Sequence, residues 1–241
     1  MAGLGTIINI AGILIGGIFG LLFGKRLGQR VQGTLMAACG VCVLFLGIGG
    51  AMEGMLSIED GALSSGGTMM IIGSIALGAL LGELLDLDGK MERFGVWLRH
   101  RTGNDGDSRF VDGFVTASLT VCIGAMAVVG AIQDGIYGDH SVLTAKAILD
   151  LIIIMIMTAS QGKGCIFAAI PVGLFQGVIT LLSRLIEPLM TAAALSNLSL
   201  VGSILIFCVG VNLLWGPKIK VANLLPALVF AVAWAFLPVS I

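Results

Sequence analysis

Leu4-Gly-Thr-Ile-Ile-Asn-Ile-Ala-Gly-Ile-Leu-Ile-Gly-Gly-Ile-Phe-Gly-Leu-Leu-Phe-Gly24 is an uncharged apolar run. At ~1.5 Å per residue, a helix of this length covers a bilayer's hydrocarbon core of ~30 Å. Its one amide is Asn9, and Gly16 and Gly20 form a G-x-x-x-G pair of the kind that lets a second helix approach closely. Lys25 and Arg26 follow the run, and no basic segment precedes it, so it is expected to be a retained span and not a cleaved signal.

Seven further apolar runs fall at 33–52, 67–86, 111–132, 141–161, 164–182, 198–215 and 221–240. The fifth and eighth runs of the chain open with polar residues and carry the weakest signal. None alternates apolar with polar residues as a spanning strand would. The expectation is an all-α, polytopic transmembrane bundle of about eight helices, with 1–241 as a single membrane domain.

Composition agrees. Hydrophobic residues make up 57% of the 241 and charged ones 11%, and mean hydropathy is +1.07. A soluble domain carries about 25% charged residues, so most of this surface must face lipid. The net charge of −1 offers no basic field for nucleic acid. Five cysteines (39, 42, 122, 165 and 208) lie in or beside apolar runs. An odd number there argues against a disulfide framework, and the Cys39-x-x-Cys42 pair has no second pair or histidine nearby. No metal or cofactor is expected. No nucleophile elbow, P-loop, HExxH or dinucleotide fingerprint occurs, so enzymatic activity is not expected either.

Loop charge sets the expected orientation. Lys25, Arg26, Arg30, Lys90, Arg93, Arg99, Arg101, Arg109, Lys163, Lys218 and Lys220 fall on one side of an eight-span bundle. The other side has Lys146 and Arg184 beside Glu53, Glu59, Asp60, Asp134, Asp139 and Glu187. The positive-inside rule puts the basic loops in the cytoplasm and both termini outside. Within the 87–110 loop, Met91, Phe94, Trp97 and Leu98 share a helical face among basic residues, as in a short helix lying on the membrane surface.

The chain also matches itself. Gly33-Thr-Leu-Met-Ala-Ala aligns with Gly113-Phe-Val-Thr-Ala-Ser, and Gly16/Gly20 with Gly78/Gly82, so the first two spans look like a copy of the third and fourth. A further G-x-x-x-G at Gly173/Gly177 suggests that spans six to eight echo three to five in inverted orientation, as in many transporters.

The residues least at home in lipid lie in Gly130-Ala-Ile-Gln-Asp-Gly-Ile-Tyr-Gly-Asp-His-Ser-Val-Leu-Thr-Ala-Lys-Ala-Ile-Leu-Asp150. Gln133 and Asp134 close the fourth span, glycines break it, and Asp139 or Ser141 can cap the fifth. Asp150 then lies ~13 Å along that helix, near the midplane, with Lys146 one turn earlier on the same face. A carboxylate at that depth costs a few kcal/mol. It must pair with Lys146 as a structural lock, or serve an ion or a proton. Asn9, Gln176 and Asn212 are expected to make interhelical hydrogen bonds. Glu83 stands beside Gly82 near the basic end of the third span. Pro171 is read as a kink or a bland helical residue. Pro226, after Asn223, either frees a carbonyl for coordination or makes a tight first turn.

Asn9 with Gly16-Gly17, Gly78-Ala-Leu-Leu-Gly-Glu83, Gly130-Ala-x-x-Asp-Gly, Gly138-Asp139, Ala145-Lys146, Leu149-Asp150 and Asn223-Leu-Leu-Pro-Ala227 together resemble the YdfK/YqgA-like family. These are bacterial inner-membrane proteins grouped as a domain of unknown function, and the likeness runs over essentially the whole chain. The resemblance implies a bacterial polytopic membrane protein and carries over no substrate or catalytic residue.

Two functional readings follow. One is a small secondary transporter or ion-conducting protein for a small ion or solute. In it Asp150 is the ion or proton ligand, Lys146 its counter-charge, Asp134 and Asp139 form an acidic outer mouth, the Asn223–Pro226 turn closes the cytoplasmic side, and Gln133, Asn9 and Glu83 are further candidates for binding the ion or solute. The other is a non-transporting membrane scaffold or regulatory partner, whose G-x-x-x-G stripes are interfaces and support a homodimer.

Overall fold

The computed structural model describes residues 2–24, 26–59, 61–123 and 125–237. Helix α1 (Leu4–Gly24) is followed by α2 (Gln29–Met55), a hairpin of β1 (Leu56–Glu59) and β2 (Ala62–Ser65), α3 (Thr68–Leu85) and α4 (Leu87–Arg101). Next come α5 (Phe110–Cys122), α6 (Ala125–Tyr137) and α7 (Ser141–Gln161). A 3₁₀ turn (Lys163–Ala168) leads into α8 (Ala169–Leu181), then α9 (Ser183–Ile186), α10 (Ala192–Trp215), α11 (Val221–Leu224) and α12 (Pro226–Trp234). The fold is an all-α polytopic bundle, as expected. The hairpin was not foreseen, although Asp60-Gly61 is a favoured two-residue hairpin turn and Gly61 has a φ of 79°.

Glycine stripes fix which helices meet and in which direction. A Cβ at Gly12 would lie 2.8 Å from the Ala147 carbonyl oxygen, and one at Gly24 2.9 Å from the Ala159 Cα. Between them Gly16 abuts the Leu151 backbone and Gly20 abuts Met155 and Thr158. Both helices advance together, so α1 and α7 are parallel. In contrast, Gly40 meets Leu214, Gly47 meets Phe207 and Gly54 meets Leu200, which makes α2 and α10 antiparallel. Gly73 meets Trp234, Gly78 meets Ala227 and Gly82 meets Asn223, so α3 runs antiparallel to α11 and α12. The sequence-matched stripes of α1 and α3 are thus both packed closely, but against partners of opposite sense.

These directions bear on the number of spans. Among the described residues six helical segments are long and apolar enough to cross a membrane, and α5 with α6, bent by 63°, is a seventh crossing if taken as one. Gly113 of α5 packs beside Gln161 and Cys165, whereas the C-terminal turn of α6 meets the start of α1 through the Asp134–Gly5 bond. The bent pair therefore runs from one end of the bundle to the other, as the parallel α1 and α7 require. The eighth apolar run forms only α11 and α12. Residues 221–234 cover ~21 Å at helical rise, less than a full hydrocarbon core. The expected eight long spans thus become seven, with a shorter helix pair beside α3; residues 238–241 lie outside the described residues.

Side-chain size is sorted the opposite way from a soluble protein. Glycine, alanine and small polar residues line the contacts, while Phe45 is 69% exposed and Leu181 84%. Half of the apolar window of α10 is buried against 22% for α2 and α3, so α10 is central and they are peripheral. Pro226 is the first residue of α12 and Pro171 lies in the first turn of α8, positions where a missing N–H costs little. Pro171 sits just after the 3₁₀ turn gives way to α8. Pro226 makes the tight first turn, and the Ala222 carbonyl accepts from Leu225 N at 3.2 Å.

Candidate functional site

The break between α5 and α6 builds the centre of the site. Helix α5 ends at Cys122, and Ile123 is extended (φ −79°, ψ 127°). The last carbonyls of a helix lack intrahelical donors and carry its negative dipole end. One of them, Val121 O, accepts a hydrogen bond from Lys146 Nζ at 2.8 Å. The same ammonium donates to Asp150 Oδ2 at 2.5 Å. The i, i+4 spacing foreseen in the sequence is thus realised as an ion pair, with side chains 8% and 5% exposed. The partner carbonyl, twenty-five residues away, was not foreseen. A periodic apolar run gives no sign of where its helix stops.

Asn9 of α1 lies beside the Asp150 carboxylate, but neither its amide nitrogen nor its oxygen completes a hydrogen bond. Both amide atoms of Gln176 are likewise buried without a protein partner. Asn212 is spent locally: Oδ1 accepts from Lys218 N and Ile219 N, each at 2.9 Å, and Nδ2 donates to Ile219 O at 2.7 Å. Among the described residues the expected interhelical bonds of Gln176 and Asn212 are therefore not formed, while Asn9 stands against its interhelical partner Asp150 without a bond of full geometry. Asn212 instead pins the loop before α11.

Asp134 and Asp139 are not neighbours in one acidic mouth. Asp139 is exposed, and its Oδ1 accepts from Ser141 N at 2.9 Å in the turn before α7, whose N-cap position is held by His140 and not by Asp139 or Ser141 as expected. The Ser141 N–H, with the Ser141 side chain, holds its carboxyl below the usual range. Asp134 is wholly buried, and its Oδ2 accepts from Gly5 N at 3.0 Å at the start of α1. Its Oδ1 and the half-buried Gln133's Oε1 have no partner among the described residues.

At the opposite, basic end, Glu83 Oε1 accepts from Lys220 Nζ at 2.8 Å, and Oε2 accepts from Asn223 Nδ2 at 2.6 Å. Asn223 Oδ1 in turn accepts from Asp88 N at 2.8 Å. The buried Asn223 amide thus clamps α3, α4 and α11 together, with both polar ends occupied. Lys220 is raised by its bond to Glu83, and Asp86 is lowered by its bond to Arg93. Asp88 is raised, chiefly by partial burial.

Three cavities flank these residues. One of about 510 Å³ at the basic end is lined by Asp88, Glu92, Asp112, Gln161, Asn212, Lys218 and Lys220 among others. One of about 440 Å³ at the other end is lined by Thr6, Gly135, Thr180, Ser183 and Arg184. A third, of about 540 Å³, is almost wholly apolar and passes Cys122 and Ile123 at the helix break. Lys146 and Asp150 line none of the three.

The packing stripes are mostly used within the chain. Gly16, Gly20, Gly78 and Gly82 each face a neighbouring helix backbone, and Gly173 faces Ile10; a Cβ at Gly177 would meet nothing within 4 Å. Helix α4 divides its apolar face: Leu98 is buried in the cluster with Phe110 and Phe114, whereas Phe94 and Trp97 stack at 5.6 Å and remain exposed.

Apolar helices of spanning length, a lipid-facing surface of large side chains and a buried charge pair at a broken span define a polytopic helical membrane protein. Residues 4–236 match the family described as "Protein of unknown function (DUF554)", and the chain belongs to it. It is 30% identical over 224 residues to the uncharacterized membrane protein YdfK of Bacillus subtilis (strain 168), covering 93% of this chain and 92% of that one. It is 28% identical over 232 residues to the uncharacterized protein YqgA of Escherichia coli (strain K12), covering 95% and 94%. No solved structure matches the chain.

Proposed function

We propose that this protein is a small secondary transporter or ion-conducting protein of the bacterial inner membrane, with an ion or proton site at Asp150. The observation that carries the reading is the three-way contact of Lys146 with Asp150 (2.5 Å) and the Val121 carbonyl (2.8 Å) where α5 ends. Broken helices that direct a carbonyl end at a midplane cation are a recurring device of transporters. Here the ammonium of Lys146 sits where a coupling cation would bind. A proton taken up by Asp150 would neutralise the carboxylate and leave Lys146 held by the carbonyl alone, which supplies two charge states to couple to a change of conformation. On this reading the basic loops face the cytoplasm, both termini lie outside, α4 rests on the membrane surface, the 1–2/3–4 and inverted repeats reflect an alternating-access plan, and the chain has no enzymatic role.

The scaffold reading has one observation in its favour: the pair is enclosed, and the three cavities are lined by other residues. Flux separates the two. Purified protein in liposomes is loaded with a pH-sensitive dye and challenged with proton and monovalent-cation gradients. The transport reading expects a flux that Asp150→Asn abolishes while the variant still elutes as folded protein. A wild type that dissipates no gradient, or an Asp150→Asn variant with unchanged flux, sinks the assignment.

A further inference from the structure

We propose that Asp134, Thr6, Gln176 and Thr180 form a binding site for a monovalent metal cation between α1, α6 and α8, separate from the Lys146–Asp150 pair. The site needs only binding and stands whether or not the chain transports.

Asp134 is 0% exposed, and one hydrogen bond, from Gly5 N, is its only bond among the described residues. Burying a carboxylate costs several kcal/mol unless charge or hydrogen bonds compensate. Among the described residues it forms no ion pair, and its Oδ1 meets no protein donor. Arg184 lines the nearby cavity but shares no ion pair with it.

The orphaned oxygen is not alone. Thr6 Oγ1, Thr180 Oγ1 and both amide atoms of Gln176 are also buried without a partner among the described residues. Buried side-chain polar atoms are nearly always bonded, so these orphaned atoms on three neighbouring helices point to a ligand. The backbone brings them together. Thr6 follows Gly5, the residue bonded to Asp134. Gly135, next to Asp134, is flush against the Thr180 carbonyl and the Ser183 hydroxyl. Gln176 stands one turn from Thr180 on the same face of α8.

Charge and donor type name the ligand. One carboxylate, two hydroxyls and an amide oxygen are hard oxygen donors with a single negative charge. Divalent and transition metals favour more carboxylates, or nitrogen and sulfur. Among the described residues no group of three or more His, Cys, Asp or Glu is placed to hold a metal. Helix α8 points its C-terminal, negative end toward this region, which favours a cation. The N-terminus of α1 holds Oδ2 and leaves Oδ1 free. The 440 Å³ cavity lined by Thr6 and Thr180 supplies the route in.

The test is the thermal unfolding midpoint of the full-length protein in detergent, with Na⁺, Li⁺ or K⁺ replacing choline at constant ionic strength and pH. A ligand that binds only the folded state raises the midpoint in a saturable way. The expected result is such a rise for one of these ions, absent in Asp134→Asn, with an apparent Kd at least about tenfold weaker in Thr6→Val, which removes one ligand as a lost hydrogen bond would. Asp134→Asn keeps an oxygen to accept from Gly5 N, so a purely helix-capping Asp134 leaves the response intact and overturns the proposal. So does a wild type that responds to pH but to no cation. Asp150→Asn should keep the response; if it alone abolishes it, the cation belongs to the midplane pair and this site is wrong. Thr6→Val and the wild-type titration decide the matter even if Asp134→Asn does not fold.

Discussion

Two lysine–carboxylate pairs of similar length sit in opposite surroundings. Lys146–Asp150 is 2.5 Å long with side chains 8% and 5% exposed, and Lys220–Glu83 is 2.8 Å long with side chains 62% and 61% exposed. Both draw in a third polar group, the Val121 carbonyl in one case and the Asn223 amide in the other. Distance alone would rank them as equals. Surroundings separate them, because water and salt screen the exposed pair while the buried one has only protein to replace its hydration.

The largest effect should come from breaking the buried pair on one side only. Lys146→Ala strands Asp150 and is expected to cost about 3–5 kcal/mol, read by unfolding in a denaturing detergent series. A Lys146→Met/Asp150→Leu double variant should recover most of that loss, since apolar replacement of a whole buried pair is often neutral. If the pair is functional, flux stays lost in the stable double variant. Recovery of both would make it a structural lock.

Next comes packing. Gly16→Ala drives a methyl into the Leu151 backbone and should cost about 1–3 kcal/mol. Gly177→Ala meets open space and should be neutral or gain up to about 1 kcal/mol of helix propensity. Equal effects at the two sites would mean that α1 and α7 are not packed as described.

Smaller still is the pH response at the basic end. Asp88 is raised because burial disfavours its charged form, so it favours the folded state when protonated and opposes it as pH rises through its folded pKa. Asp88→Asn should therefore be at least as stable as wild type at pH 7, and the advantage should fade below about pH 4, where both states protonate the aspartate. A variant less stable at pH 7 would mean that the carboxylate's interactions outweigh its desolvation. Smallest is Lys220→Ala, whose unfolding midpoint should match wild type within error and respond less to added salt, as expected of an exposed pair.

Much of this was legible in sequence wherever the signal is local. The runs at 4–24 and 141–161 are α1 and α7 to the residue. The i, i+4 spacing of Lys146 and Asp150 follows from helical geometry alone. The bond of Asp139 to Ser141 N, two residues on, is equally local. Asp134 was legible only as an acid near a span end, since nothing within a few residues shows that Gly5, 129 positions earlier, would take its oxygen and bury it. Gly173 and Gly177 read alike in sequence and differ in contact, because packing depends on what stands opposite.

The sequence by itself determined that this chain is a helical membrane protein, which segments are apolar enough to cross, and where charge enters a span. Length, hydropathy and periodicity are properties of contiguous residues, and lipid makes each segment satisfy its own backbone. Only the tertiary structure decided that α5 and α6 break within a span, that Val121 receives Lys146, and that Asp134 is buried against the start of α1. Those are contacts between distant segments. Their free energy depends on which surfaces meet and how much solvent they exclude, and no local pattern encodes either.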